Sequence, residues 1–135
     1  MQTVLVVEDE SSIAELVVAM LSDAGYHLVV AANGREALAC LEVGRPDLIL
    51  TDLMMPFMDG RELCKRLNSH TEYNSIPIVI MSAAYNSINL DGCDYAAFLG
   101  KPFDTEQLLE TLARVSKTIS EGPAKLEYGD TQSPT

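Results

Sequence analysis

Five short apolar runs alternate with segments of helical periodicity along most of this chain. The runs lie near residues 3–7, 27–31, 47–51, 77–81 and 97–100. A strand that is buried on both faces reads as such a continuous apolar run. Alternation of strands with helices predicts a parallel sheet with right-handed crossovers and helices on both faces. We therefore expect an α/β fold built on a doubly wound sheet of five parallel strands.

Four predicted helix starts share one signature, a capping residue followed three positions later by Glu or Gln. The pairs are Ser12 with Glu15, Asn33 with Glu36, Asp59 with Glu62, and Asp104 with Gln107. In each pair the two side chains can satisfy free backbone N–H groups reciprocally, which fixes where the helix begins. The first helix has an apolar stripe and should stop at Gly25. Its stripe is Ile13, Leu16, Val17, Met20 and Leu21.

Two segments depart from the regular pattern. Between Ser82 and Lys101 no capping box occurs, and the Asn, Ser, Asp and Gly residues there are poor helix formers, so we predict a short or irregular fourth helix. Beyond about Ser120 the run Glu121-Gly122-Pro123 should end the last helix. We therefore predict one domain over residues 1–120 and a disordered tail or linker over 121–135.

Charge and cysteine content narrow the function classes. The formal net charge of −11 opposes nucleic acid, whose binding depends mainly on Lys and Arg contacts to phosphate, so we predict no direct nucleic-acid contact. No apolar stretch is long enough for a bilayer and no signal sequence precedes the first strand, which favours a cytoplasmic protein with no membrane contact. Cys40, Cys64 and Cys93 are odd in number and widely spaced, which argues against a disulfide framework or zinc site.

Chemically capable side chains follow four of the five runs. Glu8 and Asp9 follow the first, Asp52 the third, Ser82 the fourth and Lys101 the fifth. In such sheets ligands bind outside the carboxyl ends of the strands, so we expect these groups at one edge. Singly, each acid could be a helix cap and Lys101 could belong to an ordinary turn. Together they indicate a site.

The predicted cluster suits magnesium and phosphate. Three close carboxylates repel one another unless a cation neutralises them, and oxygen-only ligands on an open rim suit Mg²⁺. Phosphoryl transfer asks for an in-line nucleophile and neutralised phosphoryl oxygens. Asp52 can be the nucleophile, giving an acyl phosphate, while Lys101 and Ser82 can contact the phosphoryl oxygens.

The motifs that carry these residues resemble the receiver domain of bacterial two-component response regulators, the CheY-like family. They are Val7-Glu8-Asp9-Glu10, Asp52-Leu53-Met54-Met55-Pro56-Phe57-Met58-Asp59-Gly60, Ser82-Ala83 and Lys101-Pro102-Phe103. The resemblance covers about residues 3–119. It implies a flavodoxin-like strand order 2-1-3-4-5 and a phosphorelay signalling module that catalyses only its own phosphorylation and dephosphorylation.

The resemblance implies a phosphoacceptor and a metal site. Asp52 matches the acceptor of the phosphoryl group. Asp9 would hold Mg²⁺ directly and Glu8 through water, and the backbone carbonyl of Met54 would supply a further ligand. The donor would be a histidine kinase or a phosphotransfer protein.

The resemblance also implies a switch. Ser82 matches the hydroxyl residue that turns toward the phosphoryl group, and Lys101 the lysine that contacts it. Pro102 matches a cis proline that would orient Lys101, and Phe98 falls where the family has its switch aromatic. A role in core packing alone is the alternative for Phe98. The face formed by the fourth helix, fifth strand and fifth helix would then change shape for an effector protein, an attached output domain or a phosphorylation-dependent homodimer.

Departures from the family pattern add expectations. The stretch from Ser82 to Lys101 looks a few residues shorter than usual. Met54 and Ala84 stand at positions that tune phosphoryl lifetime in the family, and both are apolar here. Neither can orient an attacking water, so we predict no fast autodephosphorylation, which a half-life of seconds would contradict.

Other interpretations stay open at this point. The chain could be a stand-alone receiver or the N-terminal receiver of a longer regulator. A Mg²⁺-dependent aspartyl-phosphate phosphatase would need a second acid near the nucleophile, and Leu53 and Met54 follow Asp52 instead. A nucleotide-binding fold would need a glycine-rich loop after the first strand, where none occurs.

Overall fold

The computed structural model describes residues 2–83 and 90–126, with side chains as far as Ser116, and in it strands and helices alternate. The strands are β1 (Thr3–Val7), β2 (His27–Ala31), β3 (Leu48–Asp52), β4 (Ile78–Ser82) and β5 (Ala97–Gly100). The helices are α1 (Ser11–Asp23), α2 (Gly34–Val43), α3 (Gly60–Asn68) and α4 (Thr105–Leu126). All strand pairs are parallel, in the order β2-β1-β3-β4-β5. The predicted five-stranded α/β fold is confirmed.

The side chains of alternate residues in each strand pack into two separate hydrophobic cores, one on each face of the sheet. Leu5, Ile49 and Ile80 point to the face covered by α2 and α3. Val6, Leu50 and Met81 point to the opposite face, covered by α1 and α4. The central strands β3 and β4 are buried over their whole length. This double burial is the physical reason why both strands are apolar over most of their length.

The two central strands run one residue further than the sequence pattern predicts. β3 ends on Asp52 and β4 ends on Ser82, whereas the apolar pattern placed both residues after their strands. Asp52 stands opposite Met81 in the register of β3 and β4. The polar side chain does not end the strand because the parallel ladder continues to satisfy the backbone. Both residues are therefore held by the sheet itself.

The predicted caps form at three of the four helix starts. The reciprocal pair is complete only at α4, where Gln107 N donates to Asp104 Oδ1 at 2.8 Å and Asp104 N to Gln107 Oε1 at 2.9 Å. Asn33 caps α2 through Glu36 N at 3.0 Å, and Asp59 caps α3 through Glu62 N at 2.8 Å.

The predicted start of α1 is wrong. The helix begins at Ser11 with Glu10 as its N-cap, and no side chain caps it. Glu8 Oε2 instead accepts the N–H of Glu10 at 3.2 Å, so a carboxylate of the candidate site satisfies this loop. Leu16, a member of the predicted stripe, is 56% exposed. The stop at Gly25 is confirmed, because its φ of 96° lies in the left-handed region that ends helices.

The last helix is longer than predicted. α4 continues through the Gly122-Pro123 pair to Leu126. Gly and Pro have low helix propensity, but this pair does not end the helix. The rest of the predicted tail, residues 127–135, lies outside the described residues, and the division at residue 120 stays a prediction. Between β4 and β5, residues 90–96 form no helix, while Ala84 and the other residues of 84–89 lie outside the described part. No helix in the described ranges is long and apolar enough to cross a membrane.

Candidate functional site

A lysine and two buried carboxylates meet at the carboxyl ends of β1, β3 and β5. Lys101 Nζ lies 3.0 Å from Glu8 Oε1 and 3.2 Å from Asp52 Oδ1. Glu8 is 2% exposed and Asp52 is 7% exposed. The parallel register brings them together, because strands that start level also end level at this edge of the sheet. The predicted convergence of Glu8, Asp52 and Lys101 is therefore observed.

Burial and the nearby charges together set the pKa values of Glu8 and Lys101. Burial raises the pKa of Glu8, and the negative charge of Asp52 raises it further, against the hydrogen bond from Lys101. For Lys101, burial alone would lower the pKa, but the hydrogen bond to Glu8 and the charges of Asp52 and Glu8 outweigh it and raise the pKa. The lysine therefore stays charged at neutral pH, while the pocket still has more negative than positive groups.

The acidic groups fit a cation. Oxygen atoms of Glu8, Asp9 and Asp52 all lie within 4.8 Å of one another. Asp9 is exposed, whereas the other two are buried, so the group opens to solvent on one side. Oxygen-only donors with an open side match Mg²⁺, which keeps several waters and takes few carboxylates. The side chains present therefore suit the metal predicted from the sequence.

Backbone contacts fix the orientation of Asp52. Leu53 N donates to Asp52 Oδ1 at 3.0 Å, and the hydroxyl of Thr51 donates to the carbonyl of Asp52 at 2.9 Å. Gly60 comes back against the same strand end, and its N–H donates to Leu53 O at 2.8 Å. A Cβ at Gly60 would lie 2.4 Å from the carbonyl oxygen of Asp52. Only glycine fits at this position, which gives the Asp59-Gly60 pair a physical role.

The other residues predicted for the site lie on β4, on β5 and in the loops that follow β3 and β5. Ser82 is buried, and its carbonyl accepts from Lys101 N at 2.9 Å. Pro102 follows Lys101 through a cis peptide bond. Phe98 is half-buried and packs against the core under α2 and α3. Met54 lies in the loop after β3 with its side chain 70% exposed.

Two features of the loop after β3 were not predicted. The close approach of Gly60 depends on how the chain folds back, which no local pattern reveals. Phe57 is a non-glycine residue with a φ of 69° and is 79% exposed. A non-glycine residue in the left-handed region is disfavoured by about 1 kcal/mol or more. Nothing in the sequence indicated this backbone conformation beyond a large apolar residue inside a turn.

The fold and the cleft together define an α/β signalling module with an acidic, lysine-containing site at its strand ends. The model of the response regulator receiver domain matches residues 4–113. The DNA-binding response regulator MtrA of Mycolicibacterium smegmatis is 32% identical over 97% of this chain and 58% of its own length. The phosphate regulon transcriptional regulatory protein PhoB of Pseudomonas aeruginosa is 34% identical over 95% of this chain and 58% of its own. The chain thus spans under two thirds of these relatives.

Solved structures agree with this family. The chemotaxis protein CheY4 of Vibrio cholerae superposes with a TM-score of 0.78 at 38% identity, covering 85% of this chain and 98% of that one. The receiver domain of a sensor histidine kinase from Pseudomonas aeruginosa PAO1, with magnesium coordinated in its active site cleft, gives a TM-score of 0.81 at 28% identity, covering 86% and 98%.

The chain belongs to the response regulator receiver domain family. It is therefore a phosphoryl-accepting signalling domain of two-component systems and not a classical enzyme. Receiver domains bind Mg²⁺ in an acidic pocket, and the carboxylates of Glu8, Asp9 and Asp52 form such a pocket here.

Proposed function

We propose that the carboxylate of Asp52 accepts a phosphoryl group from a phosphohistidine of a histidine kinase or phosphotransfer protein. The observation that carries the proposal is the pairing of the Asp52 carboxylate with Lys101 at 3.2 Å in a largely buried cleft. Both contacts that described residues make with this carboxylate go to Oδ1. Oδ2 is therefore the oxygen that attacks phosphorus, while the P–N bond of the donor breaks and the imidazole leaves.

Lys101 and Ser82 stabilise the transferred group. Lys101 pairs with Glu8 and Asp52 in the resting site, so its charge already stands where phosphoryl oxygens arrive. The group brings about −1.5 to −2 charges and three acceptor oxygens. The hydroxyl of Ser82 donates to one of these oxygens. Pro102 follows Lys101 directly and belongs to the same proposed switch.

The metal would be held by Glu8, Asp9, Asp52 and the backbone carbonyl of Met54. When bound, Mg²⁺ neutralises the clustered carboxylates and the phosphoryl oxygens. The fit rests on the three carboxylates whose oxygens lie within 4.8 Å. Asp9 is the exposed member of the group, so it would hold the ion on the solvent side.

The phosphorylated site would act on a protein-binding face. When Ser82 turns toward the phosphoryl group, Phe98 can rotate inward, because it is only half-buried at the edge of the core. The face comprises the connection before β5, β5 itself and α4. Helix α4 of the structure is the fifth helix of the sequence prediction, because it follows β5. The phosphoryl group acts as a ligand that favours one of two pre-existing states.

The output partner is a downstream effector, an output domain or a second phosphorylated copy. The match covers 58% of the length of MtrA and 58% of the length of PhoB. The N-terminal receiver of a longer regulator, with which this coverage is consistent, is the second form of the same proposal. Slow loss of the phosphoryl group stays a prediction, supported by the apolar side chain of Met54 at the rim.

The experiment is to incubate the chain with Mg²⁺ and a small phosphodonor and to measure the intact mass. One added phosphoryl group is expected on the wild-type chain, and none on Asp52→Ala. Asp23→Asn is the matched control, because Asp23 is exposed and far from the cleft at the end of α1. An adduct that survives Asp52→Ala, or its absence from the wild type, would overturn the proposal.

A further inference from the structure

Two of the three cysteines, far apart in the sequence, lie together in the structure. Cys64 is on α3 and is fully buried in the core under α2 and α3. Cys93 is in the connection before β5, is half-buried, and packs against the same core. Cys64 Sγ lies 3.5 Å from the carbonyl oxygen of Asp94, the residue that follows Cys93, and the two thiols affect each other's pKa. The third cysteine, Cys40, lies on α2 and has no such contact with another cysteine among the described residues.

The chain around Cys93 is fastened to α3 by polar side chains. Asn68 Oδ1 accepts from Asp94 N at 2.7 Å, and Asn68 Nδ2 donates to Asp94 O at 3.2 Å. Cys64 Sγ lies 3.5 Å from the same carbonyl. On the other side of Cys93, the guanidinium of Arg61 donates to Asp91 O at 3.0 Å. Side chains of α3 therefore hold the backbone on both sides of Cys93 beside Cys64.

The two thiols differ in how readily they meet an oxidant. Burial raises the pKa of both, and the Cys64 thiol has no exposed surface. For Cys93 the interaction with Cys64 and the positive charges of Arg61 and Lys65 oppose that rise in pKa, while the negative charge of Asp94 adds to it. A thiolate is the form that reacts with peroxides, and it forms where exposure and positive charge favour it. Cys93 is therefore the thiol that reacts first.

We propose that Cys64 and Cys93 form a reversible intramolecular disulfide when the chain meets a peroxide. The Cys93 thiol loses its proton, and the thiolate attacks one peroxide oxygen and breaks the O–O bond. The departing hydroxide takes up that proton, so a sulfenic acid and one water result. The Cys64 sulfur then attacks the Cys93 sulfur, and the hydroxyl leaves with the Cys64 proton as water. The two sulfur atoms lose two electrons in total, and one hydrogen peroxide is reduced to two waters.

The disulfide would tie the connection before β5 to α3. This connection joins the strand that ends on Ser82 to the strand that carries Phe98. Hydrogen bonds from Arg61 and Asn68 hold the described part of this connection, residues 90–96, and these bonds can open and close locally. A covalent bond would restrict that opening. The oxidation itself involves neither Asp52 nor Mg²⁺, so it stands independently of phosphorylation.

The test uses the full chain, reduced and then freed of reductant. The chain is treated with hydrogen peroxide, unfolded, alkylated at its remaining thiols and weighed intact. The oxidised wild type should take up one alkyl group, on Cys40, and should lack two hydrogens. Dithiothreitol should restore three alkylation sites. Peptide mapping should place the bond between Cys64 and Cys93.

Three variants supply the controls. Cys40→Ser should keep the disulfide and take up no alkyl group after oxidation. Cys93→Ser should take up two alkyl groups and form no intramolecular bond, and because Cys93 is partly exposed this change should leave the fold intact. Three free thiols after treatment, a bond that includes Cys40, disulfides only between chains, or stable oxygen adducts on Cys93 would each overturn the proposal. Asp52→Asn should form the same bond, which separates this result from any failure of phosphorylation.

Discussion

Among the residues of the cleft, Glu8 carries its charge in the least favourable surroundings. Burial and the neighbouring Asp52 raise its pKa above the ordinary value of 4.5. Between pH 4.5 and the raised pKa the folded chain binds more protons at Glu8 than the unfolded chain does, so folding stability falls as pH rises through this window. This cost persists at all higher pH values.

Glu8→Gln should therefore stabilise the metal-free protein at neutral pH. The neutral amide removes the buried charge, while its carbonyl oxygen can still accept from Lys101. The gain should disappear below about pH 4.5, where Glu8 is protonated in both states. Chemical unfolding in the presence of a chelator, measured across pH, checks this. Glu15→Gln, on the exposed side of α1, should show no such trend, and a Glu8→Gln protein less stable than wild type at neutral pH would contradict the prediction.

Gly60 carries a second prediction about a single residue. Gly60→Ala should destabilise the chain by about 3 kcal/mol, because the new Cβ meets rigid backbone and the strand end must shift. The clash is at 2.4 Å from Asp52 O, whereas a Cβ at Gly44 meets nothing within 4 Å. Gly44→Ala should therefore change stability by less than about 0.5 kcal/mol. Equal midpoints for the two variants in urea unfolding would show that the loop after β3 can adapt.

The helices and strands show which local signals determine structure. The apolar runs Leu48-Ile49-Leu50 and Ile78-Val79-Ile80-Met81 predicted β3 and β4, because strands buried on both faces are apolar on both sides. The caps at Asn33, Asp59 and Asp104 were predictable because a cap involves only neighbouring residues. The prediction that Ser12 caps α1 was wrong. The carboxylate of Glu8, a residue of the cleft, instead accepts the backbone N–H of Glu10 just before the helix. Local rules therefore failed where the site itself organises the backbone.

The caps allow a matched comparison between helix starts. Asp104→Ala should cost about 1 kcal/mol, because it removes the acceptor for Gln107 N at 2.8 Å. Ser12→Ala should cost nothing and even stabilise slightly, since Ser12 lies inside α1 and caps nothing. Thermal unfolding of both variants beside wild type measures the difference. The same loss from both substitutions would mean that Ser12 does cap α1 in solution.

In the whole molecule, the sheet brings together groups that the sequence spreads from Glu8 to Lys101. The order of strand and helix signals was enough to predict that edge, since parallel strands align their carboxyl ends. Contacts that depend on how loops return to the core were not predictable. The approach of Gly60 to Asp52 is one, and the meeting of Cys64 with Cys93 is another. The spacing of the cysteines argued against a disulfide framework, and it could not show that Cys64 and Cys93 lie near each other.

The clustered acids predict that magnesium stabilises the entire domain. An ion that binds only the folded chain adds about 2.7 kcal/mol at a concentration one hundred times its dissociation constant. Thermal unfolding with MgCl₂, against KCl at equal ionic strength, should show a higher midpoint for wild type. Asp9→Asn should lose most of the gain, because Asp9 is the exposed member of the metal group. Asp23→Asn should keep it, and a gain of equal size in Asp9→Asn would argue against the proposed ligands.

The central claim is that the phosphoryl group sits on the carboxylate of Asp52. The most direct measurement is to phosphorylate the chain, reduce it with borohydride and sequence its peptides by mass spectrometry. An acyl phosphate on aspartate is reduced to homoserine, whereas a phosphorylated hydroxyl is left unchanged. We predict homoserine at position 52 and at no other aspartate. Reduction at Asp9 or Asp59, or an adduct that resists reduction, would contradict the account.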